Sequence, residues 1–352
     1  MKPVALVTGV VSDYRVAPFR ILAEREDVEI LAWENEGPAD AGLHVRRVSQ
    51  LGAARAVASG RYRAVIGGLG GRVALPATYL AARRARIPFV LWASLWEHPR
   101  TPAHTLSQVP MRAIYRGADA VVTYGPHVTR YVEQFREKAN VFEAPQAVDP
   151  AVFGRSVTPA ERAAARALMH AGDNDFALLF VGRLVPEKGL PTLLNAWTQT
   201  SPTGNAVLAI AGSGPLPVTG PSVHALGHVE REDLPPLYAA ADALVLPSIA
   251  TATFREPWGL VCNEAMHQGT PVIASDAVGA VAGALVVDGR TGLVFPAGDT
   301  GALAARIRAL ASAPELREKL GQAARAHVAD YTPEAWADGV SKALESVETA
   351  AS

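Results

Sequence analysis

At 352 residues, 49% of them hydrophobic and 19% charged, the chain is too long for one ordinary core and too apolar for disorder or a collagen-like repeat. Its single cysteine, Cys262, excludes an intramolecular disulfide and a four-cysteine metal site, and suits a reducing cytosol. The formal net charge is only −1, but the first 150 residues are net basic, and no acid falls between Asp40 and Glu97 while arginines run from Arg46 to Arg86. Solvated helix faces in an arginine-rich chain would account for that window. So would a basic face, spanning 41–96, that meets an anionic acceptor or membrane surface.

The opening MKPVALVTGVVSDYR holds a short apolar run before Asp13 and Arg15, which argues against a signal peptide. Strands are predicted at 3–8, 28–33, 63–67, 87–92, 119–123 and 139–143, and again at 176–181, 206–211, 223–226, 243–246 and 271–274. Their apolarity is continuous rather than alternating, as in strands buried on both faces of a parallel sheet. Ala-rich helical patterns separate them, so the expectation is α/β with two doubly wound domains. The longest uncharged stretch, 189–229, is interrupted throughout by Pro, Gly, Asn and Thr and does not read as a membrane span.

The domain boundary is expected within 146–161, giving 1–153 and 154–332, with a C-terminal helix 333–352 packing back on the first domain. Thr158, Pro159 and Glu161 form the signature of a capped helix start. Residues 300–312 place Leu303, Ile307 and Leu310 on one helical face, and Thr332-Pro333 opens a final helix that ends near 348.

Three segments carry chemistry. FVGRLVPEKGL (180–190) ends a buried strand at Gly182, follows with Arg183 and Lys188 in a turn, and leads to a helix near Leu190. Two cations beside a helix start suit a phosphate, although a surface loop with two ordinary charges fits the same residues. Lys188 stands out because the chain has only five lysines. REPWGLVCNEAM (255–266) separates Glu256 from Glu264 by Pro257-Trp258-Gly259-Leu260. Carboxylates accept hydrogen bonds from sugar or ribose hydroxyls, and the glycine lets backbone amides approach an anion. A capped helix with two solvated glutamates is the plainer alternative.

AGSGP (211–215) offers Gly-x-Gly, but Pro215 follows and no helix pattern opens, so a dinucleotide fingerprint is not expected. GGLGGR (67–72) could bring the amides of Gly70 and Gly71, with Arg72, to an anion; a plain turn serves as well. His98, in the loop after 87–92, is a candidate for a cleft, ahead of His104. Trp92 and Trp96 could stack on a sugar, with core packing the simpler reading. Asp173-Asn174-Asp175 lies at the amino end of a strand and reads as a surface turn. Cys262 reads as a small core residue.

Taken together, FVGRLVPEKGL, AGSGP, LGHVEREDLPPLYAAADALVLPS, EPWGLVCNEAM, QGTPVIAS and DGRTGLVFPAGD, in this order along 176–310, resemble the family-4 retaining glycosyltransferases. The resemblance implies the GT-B architecture, two Rossmann-like domains facing a central cleft, with acceptor binding on the first and donor binding on the second. It implies that Arg183 and Lys188, beside Gly182, neutralise the donor diphosphate and that Glu256 holds hydroxyls of the transferred sugar. Pro257, Trp258, Gly259 and Leu260 would flank the donor, Glu264 would bind the ribose, and the Val229 backbone would meet the base.

Ser248 would be a wall of that pocket. His98 would line the acceptor side of the reacting centre. In the first half, YRVAPF (14–19) stands where many members have a Gly-Gly loop on the donor phosphate. No metal or other cofactor is expected, since basic residues would do the electrostatic work.

The expected partners are a nucleotide sugar and a glycan, lipid-linked or small-molecule acceptor, with no nucleic acid. The expected location is cytoplasmic, with peripheral contact to an anionic membrane through 41–96. Rival readings are a non-catalytic nucleotide-sugar-binding protein and another GT-B enzyme such as a nucleotide-sugar epimerase.

Overall fold

The computed structural model describes residues 2–34, 42–68, 70–71, 73–137, 140–200 and 205–349, apart from the side chains of 102–106. Its contacts divide into two units, Met1–Ala147 with Thr332–Ser352, and Val148–Tyr331. In chain order the first contains β1 (Val4–Thr8), α1 (Asp13–Glu26), β2 (Val28–Ala32), β3 (Val45–Arg47), α2 (Gln50–Ala58), β4 (Ala64–Gly68) and α3 (Ala74–Ala85). It continues with β5 (Phe89–Ala93), α4 (Pro102–Gly117), β6 (Ala120–Thr123), α5 (Pro126–Glu133) and β7 (Val141–Glu143).

The second unit opens with α6 (Pro150–Phe153), α7 (Pro159–Leu168), β8 (Phe176–Val181), α8 (Leu190–Thr200), β9 (Ala206–Ala211), β10 (Val223–Gly227), α9 (Leu234–Ala240) and β11 (Ala243–Leu246). It closes with α10 (Val261–His267), β12 (Val272–Ser275), α11 (Gly279–Ala282), β13 (Gly292–Phe295), α12 (Thr300–Ser312) and α13 (Pro314–Val328). The last helix, α14 (Pro333–Thr349), returns to the first unit.

Each unit is one parallel sheet. The orders are β3-β2-β1-β4-β5-β6-β7 and β10-β9-β8-β11-β12-β13. In both, the chain steps outward in one direction and then restarts beside the first strand, so the order reverses between β1 and β4 and between β8 and β11. Loops leaving a strand pair at such a reversal diverge and open a crevice at the carboxyl ends.

Alternate strand residues feed opposite layers. In the first unit Val4, Leu6, Ile30, Ile66 and Val90 pack with Phe19 and Leu22 of α1 and with Trp336, Val340 and Leu344 of α14. Ala5, Val7, Val65, Phe89 and Leu91 pack with Ala53, Val57, Leu75 and Ala82 of α2 and α3. In the second unit Leu178, Phe180, Leu208, Ile210 and Val245 meet Leu193 and Trp197 of α8 and Leu303, Ile307 and Leu310 of α12.

The unit boundary falls before Val148 rather than after Phe153. The reason is packing: the Phe153 ring lies 6.4 Å from Tyr238 and 5.2 Å from the Arg231 guanidinium, both in the second unit. α14 is tied to the first unit by Arg25–Asp338 at 2.6 Å and by Trp336 against Trp92, ring centroids 5.4 Å apart. Thr158 caps α7 as the sequence suggests, its hydroxyl accepting from the Glu161 amide at 3.2 Å while the Glu161 carboxylate accepts from the Thr158 amide at 2.7 Å. Among the described residues, no helix is long and apolar enough to cross a membrane.

Candidate functional site

The β8–β11 crevice of the second unit is built by close backbone contacts. After β8 the chain makes a tight 3-10 turn, Pro186–Lys188, and Gly189 closes it at φ +70°. A Cβ at Gly189 would sit 1.9 Å from the Pro247 carbonyl oxygen, so this turn can lie on the β11 loop only with glycine there. The Ile249 amide then donates to the Glu187 carbonyl at 3.0 Å, stitching the two loops together. Gly189→Ala is therefore expected to lower stability by about 2–4 kcal/mol, since φ and space both oppose the methyl. A denaturant midpoint that does not move would contradict this account of the turn.

That junction sets Lys188 beside Glu256. The ammonium donates to Glu256 Oε2 at 2.5 Å, and Ser248 Oγ donates to the same oxygen at 3.0 Å. Ser248 is held in turn by Ser275, whose hydroxyl donates to the Ser248 carbonyl. Glu256 itself is fixed by a parallel bridge to Val278, the Gly279 amide donating to its carbonyl at 3.0 Å. Side-chain exposure is 15% for Lys188 and 9% for Glu256, so the two opposite charges share a largely dry crevice. Such a pair is retained at a desolvation cost and is weak as a pure stabiliser.

Arg183 stays outside this knot. Its side chain is 68% exposed and its guanidinium lies 3.8 Å from the Glu187 carboxylate, presenting charge to solvent beside the turn. Gly182 and Leu184 are clamped from below by the AGSGP loop. The Leu184 amide donates to the Ser213 carbonyl at 2.8 Å, and a Cβ on Gly212 would lie 1.8 Å from the Gly182 oxygen. The glycines of 211–215 thus serve backbone packing, and no helix opens behind them.

After Glu256 the chain turns at Gly259, φ +97°, into the seven-residue helix α10. Among the described residues, the Gly259 and Leu260 amides donate to no protein acceptor. Pro257 is half-buried, and Trp258 is turned into the core at 3% exposure, its indole N–H donating to Asn263 Oδ1 at 2.7 Å. Only the backbone of Trp258 is thereby left to meet a donor, a narrower role than the sequence suggested.

Glu264 lies one turn into α10. The residue is half-buried but its carboxyl group is enclosed, and burial pushes that group up from 4.5 to about 7. The Tyr238 hydroxyl donates to Glu264 Oε2 at 2.5 Å, and Arg231 lends positive charge; both pull the other way without offsetting burial. Burial and the Glu264 charge hold the Tyr238 phenol well above its ordinary range, so it remains a donor. Val229 is half-buried just past β10. Cys262 is buried, and burial raises its thiol, consistent with a core role. Tyr238, Ser248 and Arg231 are thus neighbours of the two candidate glutamates that charge and motif reading missed or undervalued. For Tyr238 and Ser248 the only signal was the apolar segment LPPLYAAADALVLPS, whose two hydroxyls flank β11, while Arg231 lies just before it as an ordinary charge.

In the first unit, His98 is half-buried in the loop after β5 and borders a cavity of about 160 Å³ with Met111, Arg112, Tyr115, Tyr131 and Phe135. Gly71, φ +81°, sits under Trp33, and Gln50 Oε1 accepts from the Val73 and Ala74 amides, both at 3.1 Å. The first amides of α3 are therefore already satisfied. Gly70 lies beside the same Trp33 ring, while Arg72 and the side chain of His104 lie outside the described residues.

Trp92 is core: Phe19 and Trp336 pack on it, and the buried Arg15 guanidinium stacks 4.4 Å over its ring. Arg15, from the YRVAPF segment, also donates to Gln146 Oε1 at 2.6 Å and to the Tyr124 hydroxyl at 2.8 Å. Among the described residues, no group of three or more His, Cys, Asp or Glu could hold a metal ion.

Residues 165–327 match the family model described as "Glycosyl transferases group 1", a span that contains every crevice residue above. The uncharacterized glycosyltransferase MJ1607 of Methanocaldococcus jannaschii is 32% identical over 161 residues, 41% of this chain and 40% of that protein. A D-inositol 3-phosphate glycosyltransferase of Kribbella flavida is 31% identical over 211 residues, 53% of this chain and 47% of that protein. The chain thus spans about half the length of the curated relatives it matches.

The fold match runs further. The structure of Anabaena Alr3699/HepE in complex with UDP superposes with a TM-score of 0.79 at 21% identity, covering 98% of this chain and 100% of that one. The two Rossmann-like parallel-sheet units are those of the GT-B glycosyltransferases.

Proposed function

We propose that this protein is a metal-independent, retaining glycosyltransferase of the family-4 type, moving a sugar from a nucleotide-diphosphate donor to an acceptor hydroxyl. The observation that carries the reading is the Lys188–Glu256–Ser248 knot at the β8–β11 reversal, inside the segment that matches the glycosyltransferase model. Lys188 and Arg183 stabilise charge as it builds on the departing diphosphate. Gly259 and Leu260 add backbone amides. Glu256, steadied by Ser248, orients hydroxyls of the transferred sugar, Glu264 accepts from the ribose, and Val229 lies beside the base.

The anomeric carbon–oxygen bond to the diphosphate breaks through an oxocarbenium-like state. The acceptor oxygen bonds to that carbon on the same face, and its proton passes to the diphosphate oxygen that leaves. Water must be kept from this centre. Glu256 is a positioner in this scheme and forms no bond to the sugar. His98, Gly70, Gly71 and Arg72 belong to the acceptor side. The acceptor is a bacterial glycan, glycolipid or small metabolite, and the protein works in the cytoplasm.

The test is a thermal-shift screen against UDP, GDP, ADP and dTDP, followed by nucleotide release from the matching sugar nucleotide in EDTA-containing buffer. UDP comes first, since HepE was solved with UDP and with UDP-glucose. One nucleotide should raise the midpoint by mass action, and Lys188→Ala should abolish the shift. A non-catalytic binding protein would give the shift without acceptor-dependent release. No shift at millimolar nucleotide would overturn the donor site.

A further inference from the structure

Among the described residues, four arginines of the acid-free window pair with carboxylates. Arg46 and Arg61 pair with Glu29, Arg63 with Glu26 and Glu348, and Arg83 with Asp119. All these acids come from outside the window. Arg55 on α2 and Arg84 on α3 are exposed and make no ion pair or hydrogen bond among the described residues. Both line one surface groove with Leu51, Leu80, Ala54 and Ala77, and every other residue of its lining is alanine.

Helical spacing explains the groove. On α2, Leu51, Arg55 and Ala58 fall at i, i+4 and i+7; on α3, Ala77, Leu80 and Arg84 fall at i, i+3 and i+7. These stripes differ from the faces the core uses, which are Ala53, Ala56 and Val57 on α2 and Ala74, Leu75, Thr78 and Ala82 on α3. Each helix therefore has a second apolar stripe pointing outward. Leu51 is 53% exposed, Leu80 58%, and Val73 at the head of α3 44%.

We propose that the α2–α3 face docks on an anionic phospholipid surface, Leu51 and Leu80 entering the headgroup boundary while Arg55 and Arg84 meet lipid phosphates. Two features favour lipid over protein. Among the described residues, the lining holds no side-chain carboxylate, amide or hydroxyl, so its side chains offer a peptide backbone no acceptor. Unpaired arginines flanking bare leucines are what an interfacial surface needs: apolar area for insertion and positive charge for anionic headgroups. The inference is independent of the donor assignment, because lipid docking is read without nucleotide.

The experiment is cosedimentation of the full chain with vesicles of phosphatidylglycerol and phosphatidylcholine, against phosphatidylcholine alone. Binding to the anionic vesicles only is expected. Arg55→Gln with Arg84→Gln should weaken it about thirtyfold. Leu51→Ser with Leu80→Ser should weaken it about tenfold and remove the part that survives high salt. All four positions are partly or fully exposed, and unchanged melting of the variants shows that folding is intact. Absent binding, or binding indifferent to both pairs, overturns the proposal. A concentration-dependent dimer broken by Leu80→Ser, without vesicle binding, would assign the face to a second copy of the chain instead.

Discussion

Lys188→Ala is expected to cost both stability and turnover, and a second substitution should separate the two losses. Removing the ammonium leaves the Glu256 carboxylate, at 9% side-chain exposure, without its cation. An uncompensated buried charge of this kind destabilises by about 3–5 kcal/mol. Lys188→Ala combined with Glu256→Gln removes the orphaned charge, so most of that stability should return, because neighbouring residues of one ion pair are not additive.

Turnover follows another logic. If Lys188 stabilises the departing diphosphate, its loss costs about 10²–10³-fold in kcat/KM, and the second substitution cannot restore it. Denaturation midpoints and kcat/KM for the two singles and the double make up the test. Recovery of activity along with stability in the double variant would reduce Lys188 to a structural partner of Glu256.

What made Lys188 and Glu256 visible in the sequence is charge in an apolar context: a lysine and a glutamate flanking buried strands need a reason to be there. Ser248 and Tyr238 carry no such mark. A hydroxyl within LPPLYAAADALVLPS looks the same whether it faces solvent or a carboxylate, and only the fold brings Tyr238 to within 2.5 Å of Glu264. Trp258 differs in the opposite way. Its place in EPWGL put it at the donor, yet Asn263, five residues on, turns its indole inward.

The sheets divide along similar lines. Central strands such as β8 and β5 are buried throughout and read directly as apolar runs. The two strands not predicted from the sequence, β3 and β13, are outermost in their sheets. β3 is Val45–Arg47, three residues with two exposed arginines, held by its neighbour rather than by its own apolarity. The basic window was legible as charge, but its division into neutralised and unpaired arginines was not. That division depends on Glu26, Glu29, Asp119 and Glu348, which are remote in sequence and adjacent in space.

Nucleotide affinity is expected to rise with pH through about 7, the value to which burial raises Glu264. Below it the carboxyl is protonated and is a poorer acceptor for ribose hydroxyls; above it the carboxylate accepts fully. The difference between neutral and charge-assisted hydrogen bonds, about 1–2 kcal/mol, predicts roughly a tenfold change in Kd. The nucleotide's own terminal phosphate also titrates, near pH 6. Glu264→Gln supplies the baseline, since it keeps that titration and loses the carboxyl's.

Stability should move the opposite way. A raised native value means that the folded state holds its proton more tightly than the unfolded chain. The associated stability is complete below about 4.5 and is lost as pH climbs towards 7, with a ceiling near 3 kcal/mol from 1.36 kcal/mol per unit. Glu264→Gln should therefore unfold at higher denaturant than wild type at pH 8 while binding nucleotide more weakly. If the variant is instead less stable at pH 8, the enclosed carboxylate is not the burden its burial implies. If it binds as well as wild type, Glu264 does not touch the ribose. Both expected results together would identify a group kept in its charged form against the interest of the fold, which a ligand that needs the charge explains and packing alone does not.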